Sequence, residues 1–476
     1  MVRLLHYSDV ENAHDRPERL GRLAGTIDRR RDGETLVLGS GDDTGPGALA
    51  LETGGRGSLA FFERVAPDAE TFGNHDFDHG IAGLREIVEE SPVVWVSANV
   101  RVDGERIAGV DRYRVFERGG ERVAVVGVSD SQLSLPRAVD VSDPIATVES
   151  VAAEAESDWL VALAHTRDET ARDIARETTV DAVLAGHVHS VTRERVDGTP
   201  LVRPGANGRV VWELELGEAG VGEVGVGATG ARNASATGAR DRNRAVTATR
   251  HDVPEGPLDD GMARVQRERL AGAGLAEVVA TVDNPIERDR AACLRGECRL
   301  ANLVTDALCR VADADIAHVD TRGLRDGPPI GPEVTVADLV GVAPFEAGVF
   351  VATVTGREVE ALVEESHRTD VDGRDGVVWT GQFGGLAIER DCADGESTVF
   401  VRDEGEERDG RRPLDPDGEY RLATNGYVVY TEEFETVGPA DVRELHGLYY
   451  DAIVTDARAG NLDPALDGRL VSGDRQ

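Results

Sequence analysis

Gly73-Asn74-His75-Asp76-Phe77-Asp78-His79-Gly80 puts an amide, two imidazoles and two carboxylates into one short stretch. These are metal-ligand residue types. Four more clusters of the same character stand in the N-terminal half: Asp9-Val10-Glu11, Gly41-Asp42, Ala164-His165 and Gly186-His187-Val188-His189. Around them, apolar runs at 2–7, 35–38, 93–96, 122–128, 159–164 and 182–185 read as buried strands. Polar residues follow several of these runs at once, which is where α/β sheets build their sites. Taken singly, a histidine after a strand is usually structural and an aspartate after glycine usually belongs to a turn. Five such clusters in one order point instead to two divalent cations about 3.5–4 Å apart, which need a bridging carboxylate with His, Asp and Asn around it.

Outside these clusters the chain reads as two domains. At 476 residues it exceeds what one hydrophobic core usually organises. Residues 1–216 alternate short apolar runs with helical stretches, as an α/β or layered α+β domain would. Residues 217–275 turn Gly/Ala-rich and then helical, which reads as an insertion and a linker helix. A second domain is expected over 276–470.

The net charge is −37, from 89 acidic and 52 basic residues, and no residue is lysine. That balance repels a phosphate backbone and argues against nucleic acid as partner. Acidity spread along the whole chain suits a salt-adapted protein, so activity is expected to rise with salt. No apolar stretch reaches membrane-spanning length, and the first residues lead straight into a strand without a signal peptide, so a cytoplasmic protein with no membrane partner is expected. Four cysteines in so long a chain are no disulfide framework, and reduced thiols are expected. No Gly-rich loop with Lys and Ser/Thr suggests a nucleoside triphosphatase, and the Asp9 cluster lacks the Asp-x-Asp of an aspartyl-phosphate phosphatase.

The order of the clusters resembles that of calcineurin-like metallophosphoesterases, and Gly73 to Gly80 is similar to the more specific signature of the 5'-nucleotidase family. The resemblance implies an α+β fold: a four-layer αββα metallophosphoesterase domain followed by a smaller α/β nucleotide-binding domain. It implies Asp42 as the bridging ligand, with Asp9 and His189 at one metal and Asn74, His165 and His187 at the other. His75 and Asp78 match the catalytic pair, and Asp76 takes a place that is not a ligand. Where the family has a histidine two residues after Asp9, this chain has Glu11. A carboxylate there hardens the site and tilts it from zinc toward manganese or magnesium; of the ions expected, manganese, zinc, cobalt or magnesium, manganese is favoured.

The likeness continues in the second half. Glu297 to Ala307 resembles the opening helix of the family's C-terminal domain, Val342-Ala-Pro-Phe-Glu346 its Leu-Pro-Phe-Gly segment, and Thr424-Asn-Gly-Tyr427 its Asn-x-Phe segment. This implies Phe345 and Tyr427 as a pair of rings around a base. Asp320-Thr-Arg-Gly-Leu-Arg325 resembles Asn-Gly-Gly-Gly-Ile-Arg, implying substrate contacts from Asp320 and Arg325; at the position of another family arginine this chain has Leu294, with Arg295 adjacent to serve instead, and Glu432 or Glu433 would substitute for the family's ribose-binding aspartate, whose turn is absent here. The function implied is two-metal hydrolysis of a small-molecule nucleotide, foremost a nucleoside 5'-monophosphate, with no protein partner. Cyclic nucleotide phosphodiesterase/3'-nucleotidase and nucleotide-sugar pyrophosphatase activities are alternatives on the same core. A nucleotide-binding regulatory protein whose first metal site is impaired by Glu11 is an alternative of another class.

Overall fold

A computed structural model describes residues 1–218, 244–371, 374–391, 397–402, 410–431 and 433–472. Contacts divide the chain into two units, Met1–Ala273 and Gly274–Gln476.

The first unit holds two six-stranded sheets. One contains β1 (Val2–Tyr7), β2 (Thr35–Gly39), β3 (Ala69–Glu70) and β4 (Val94–Trp95). The other contains β5 (Tyr113–Arg118), β6 (Glu121–Ser129), β7 (Trp159–His165), β8 (Ala182–Gly186), β9 (Val191–Val196) and β10 (Thr199–Pro204). The first is completed by β11 (Val210–Glu218) and β12 (Arg244–Asp252), giving the order β12-β11-β1-β2-β3-β4, while the second runs β9-β10-β8-β7-β6-β5. Period-two alternation assigns the faces. Leu4, Leu36 and Leu38 from one sheet share a core with Val123, Val161 and Leu184 from the other. Their neighbours Leu5 and Val37 point the opposite way, onto Leu20, Leu23 and Ile27 of the helix Pro17–Arg30. On the far side, Ala124, Val126 and Leu160 pack on Val148 of the helix Pro144–Glu154 and Ile174 of the helix Asp168–Glu177. Both sheets are therefore covered twice, and the αββα expectation is met.

Two details differ from the sequence reading. Arg244–Asp252 lies in the stretch read as insertion and linker, yet pairs antiparallel with Val210–Glu218 along its length. Its Arg and Thr residues dilute the alternation that marks a strand; the Gly/Ala-rich centre, 219–243, lies outside the described residues. The helix Asp260–Gly272, read as leading into the second domain, falls within the first unit and packs on the helix Pro17–Arg30.

The second unit is built on a five-stranded sheet with the spatial order Gly381–Gly384, Ile316–Asp320, Glu419–Asn425, Gly348–Thr355, Val442–Leu448. The helix Arg299–Ala312, capped at its start by Cys298 Sγ, packs on this sheet. The expectation of reduced thiols fails here, because Cys293 and Cys298 form a disulfide. The turn through Gly296 brings their Cα atoms to 5.1 Å, inside disulfide reach. The thiols therefore give no argument for a reducing compartment. Cys392 lies outside the described residues. No helix among the described residues is long and apolar enough to cross a membrane.

Candidate metal centre

β1, β2, β3 and β4 run parallel to one another, and β6, β7 and β8 do the same in the facing sheet. The carboxyl ends of these strands carry the five clusters. Backbone strain concentrates there: Asp9 (φ 51°), Glu11 (φ 44°), Asp42 (φ 56°) and His187 (φ 71°) all occupy the left-handed region, which side-chain-bearing residues rarely adopt. The space is also carved by glycine. A Cβ on Gly73 would collide with Asp42 Oδ1, and one on Gly186 would come within 2.8 Å of His165 Nδ1.

The donor atoms gather into three overlapping groups, each with members mutually within 4.8 Å: Asp9, Glu11 and His189; Asp42, His165 and His187; Glu11, Asp42 and His75. His189 Nε2 lies 3.2 Å from Glu11 Oε1 and 3.7 Å from Asp9 Oδ1. His165 Nε2 lies 3.1 Å from Asp42 Oδ2, and Asn74 Oδ1 lies 3.1 Å from His187 Nδ1. Glu11 links the groups and is 1% exposed, so it is a buried carboxylate of the cluster and not a solvated loop residue.

Hydrogen bonds orient these side chains. His165 Nδ1 faces the Ser40 carbonyl at 2.8 Å, which fixes that nitrogen as the donor and turns Nε2 toward Asp42. Asp9 accepts from Ser8 Oγ at 2.5 Å and from the His187 N–H at 3.1 Å. Asp76 spends its carboxylate on the turn, accepting from the N–H groups of Asp42, Gly73 and Thr44 and from Thr44 Oγ1. His75 Nδ1 meets Asp78 Oδ2 at 2.8 Å.

Burial and the facing imidazoles set the electrostatics of the cluster. Burial pushes the Asp9 carboxyl up to about 6, against the pull of His165 and His189. Burial also opposes the charge on Asp42, but His165 and His75 outweigh it and hold that carboxyl well below its ordinary value. His165 is raised to about 10, because Asp42 and Asp9 overcome its desolvation. His187, desolvated and facing His165, is lowered to about 3. Asp9, Glu11 and Asp42 are each 1% exposed, and the ion-pair partners of Asp9 and Asp42 are imidazoles. Three buried carboxylates with neutralisable partners are costly unless positive charge is supplied. A hard, mixed carboxylate, imidazole and amide set in a glycine-carved space fits a pair of divalent cations.

The substrate residues expected in the second unit are placed variously. Tyr427 is 42% exposed and Phe345 half-buried. Arg325 is buried at 6%, its N–H donating to the Val342 carbonyl, while Arg295 is exposed near Asp289. Asp320 does not stand open: it takes both the N–H and the guanidinium of Arg322, whose centre lies 5.8 Å over the Tyr427 ring. Glu433 accepts from Arg322 and Arg368, and Glu432 lies outside the described residues.

Two family models match the chain: calcineurin-like phosphoesterase over residues 2–191 and 5'-nucleotidase, C-terminal domain, over residues 278–436. An apyrase from Tabanus yao is 23% identical over 449 residues, covering 86% of this chain and 79% of that protein. Protein UshA from Yersinia enterocolitica is 24% identical over 439 residues, covering 82% and 76%. Among solved structures, a 5'-nucleotidase precursor from Thermus thermophilus superposes with TM-score 0.78 at 21% identity, covering 100% of both chains. The sulfate thiohydrolase SoxB of Thermus thermophilus gives 0.73 at 18% identity, covering 100% of this chain and 97% of that one.

Proposed function

Because this chain belongs to the 5'-nucleotidase family, with a calcineurin-like phosphoesterase domain followed by the 5'-nucleotidase C-terminal domain, we propose that it hydrolyses nucleoside 5'-monophosphates to nucleoside and phosphate. Metal-dependent hydrolysis of nucleotide phosphoesters is what the family, the fold and the donor groups support together. The observation that carries the reading is the convergence of Asp9, Glu11, Asp42, His165, His187 and His189 into contiguous donor groups.

Asp9, Glu11, Asp42 and His189 would hold one cation, and Asp42, Asn74, His165 and His187 the other. When bound, such a pair supplies a water of lowered pKa and neutralises the phosphoryl oxygens. Glu11 in place of an imidazole favours manganese. His75 hydrogen-bonds Asp78 through Nδ1, and its Nε2 would stabilise charge at the phosphoryl or leaving oxygen. Asp78 holds that ring in place. A buried acidic pocket must shed protons from His165 to accept a cation, so metal uptake should release protons. With a net charge of −37, the chain repels an anionic substrate at low salt, and turnover should climb with potassium chloride.

The test is phosphate release from a panel of 5'-mono-, cyclic and sugar nucleotides, each with manganese, cobalt, zinc and magnesium in molar potassium chloride. Preference for a 5'-monophosphate supports the proposal. Release from cyclic or sugar nucleotides alone moves the activity to an alternative on the same core, and release from none leaves a binding protein.

A further inference from the structure

Beneath the proposed metal ligands lies a set of groups that binds none of them. Strand register places Tyr7 beside Gly39 and Gly39 beside Glu70, one row across β1, β2 and β3. Gly39 has no side chain to fill the middle of that row, and any Cβ there would collide with the Glu70 carboxylate. Glu70 therefore reaches across β2, and the Tyr7 hydroxyl donates to its Oε1. Its carboxyl also hydrogen-bonds the carboxyl of Asp43. Asp43 Oδ1 in turn accepts the Val10 N–H at 3.1 Å. Tyr7, Glu70 and Asp43 are at most 1% exposed. Hydrogen-bonded groups buried this deeply have little freedom to shift when no water reaches them.

This chain of bonds brackets two of the three carboxylates of the proposed centre. Tyr7 and Val10 flank Asp9 in sequence, and Asp43 follows Asp42. Asp9 and Asp42 sit in left-handed backbone, which holds only where the surroundings fix it. We propose that Tyr7, Glu70 and Asp43 are positioning residues, a buried hydrogen-bonded bridge from β1 through β3 to the loop after β2 that sets the separation of Asp9 and Asp42 and so the spacing of the two metal sites. Groups that orient ligands typically change metal affinity 10–100-fold, on the order expected here. The Glu70 amide variant can still accept from Tyr7 and donate to Asp43, whereas an apolar residue can do neither.

The inference rests on the two-metal reading, and manganese(II) tests both without recourse to turnover. Manganese titration of the full chain gives stoichiometry and affinity, and electron paramagnetic resonance distinguishes a coupled pair from isolated ions. Thermal unfolding by circular dichroism selects the folded variants. Tyr7→Phe and Glu70→Leu should bind manganese about 10–100-fold more weakly and lose the coupled signal, while Glu70→Gln keeps it. Wild-type affinity and coupling in folded Tyr7→Phe overturn the inference, and this variant decides the matter if Glu70→Leu does not fold. Loss of coupling in Glu70→Gln equal to that in Glu70→Leu also overturns it, since the bridge would then not depend on hydrogen bonding. Fewer than two manganese ions in the unsubstituted chain would overturn the two-metal reading itself.

Discussion

The backbone N–H of His75 donates to Asp42 Oδ1 at 2.7 Å, so the residue proposed to bridge the metals also anchors the residue proposed to manage charge at the phosphoryl group. The imidazole takes no part in that bond and is aimed by Asp78. Replacing it by Ala therefore removes the ring without removing the Asp42 contact. His75→Ala should lower turnover by ~10²–10⁴-fold, the scale for losing a positioned acid–base group, while metal content stays at two equivalents. A metal-loaded variant that turns over at the wild-type rate sinks the assignment.

Asp42 and Glu11 are predicted to fail differently. Asp42 belongs with His165 and His187 in one donor group and with Glu11 and His75 in another. Its amide variant should lower occupancy of both sites together, whereas Glu11→Gln should lower one. Elemental analysis after gel filtration reads this directly. Two full equivalents in Asp42→Asn exclude the bridging role.

Glu70 gives a prediction for stability against pH. Burial raises its carboxyl from 4.5 to about 8. The folded chain thus keeps a proton that the unfolded chain releases, so this group's stabilisation is complete below 4.5 and is lost as pH rises through about 8. The titration belongs to the Glu70–Asp43 pair, and its direction is set by desolvation at both carboxyls. Urea midpoints measured in chelator should fall more steeply from pH about 5 to about 8 in the wild type than in Glu70→Gln. Parallel slopes mean that Glu70 is ionised in the folded chain.

Much of the first unit was legible because it depends on local pattern. Asp9, Asp42, His165 and His187 each stand just beyond an apolar run, and the parallel arrangement of those runs brings them to one edge. Glu11 could be noticed as a departure, but its burial could not, since that depends on His189 returning from a strand far along the chain. The Tyr7–Gly39–Glu70 row was invisible because it is a property of register, and register is a relation between strands. The partnership of Asp320 with Arg322 was missed for a different reason. A resemblance carries over one position at a time, and does not say that an arginine arriving at one position will occupy the carboxylate at another.

That arginine sharpens the last prediction, which concerns the second unit alone. The Arg322 guanidinium, held by Asp320 and Glu433, covers a face of Tyr427, so a base stacked on this ring has its other face available. If Phe345 and Tyr427 capture the base, Tyr427→Ala and Phe345→Ala should each lower kcat/KM for the best nucleotide by ~1–3 kcal/mol, the range for one base–aromatic stack. Hydrolysis of an aryl phosphate without a base should hardly change. Arg322→Ala should weaken nucleotide capture by less than loss of the ring itself, because a cation over an exposed aromatic contributes only about 0.5–1 kcal/mol. Steady-state kinetics on both substrates separates these effects from general damage. An equal fall in the two activities would identify Phe345 and Tyr427 as packing residues and withdraw the base clamp, leaving a phosphoesterase whose substrate is chosen elsewhere.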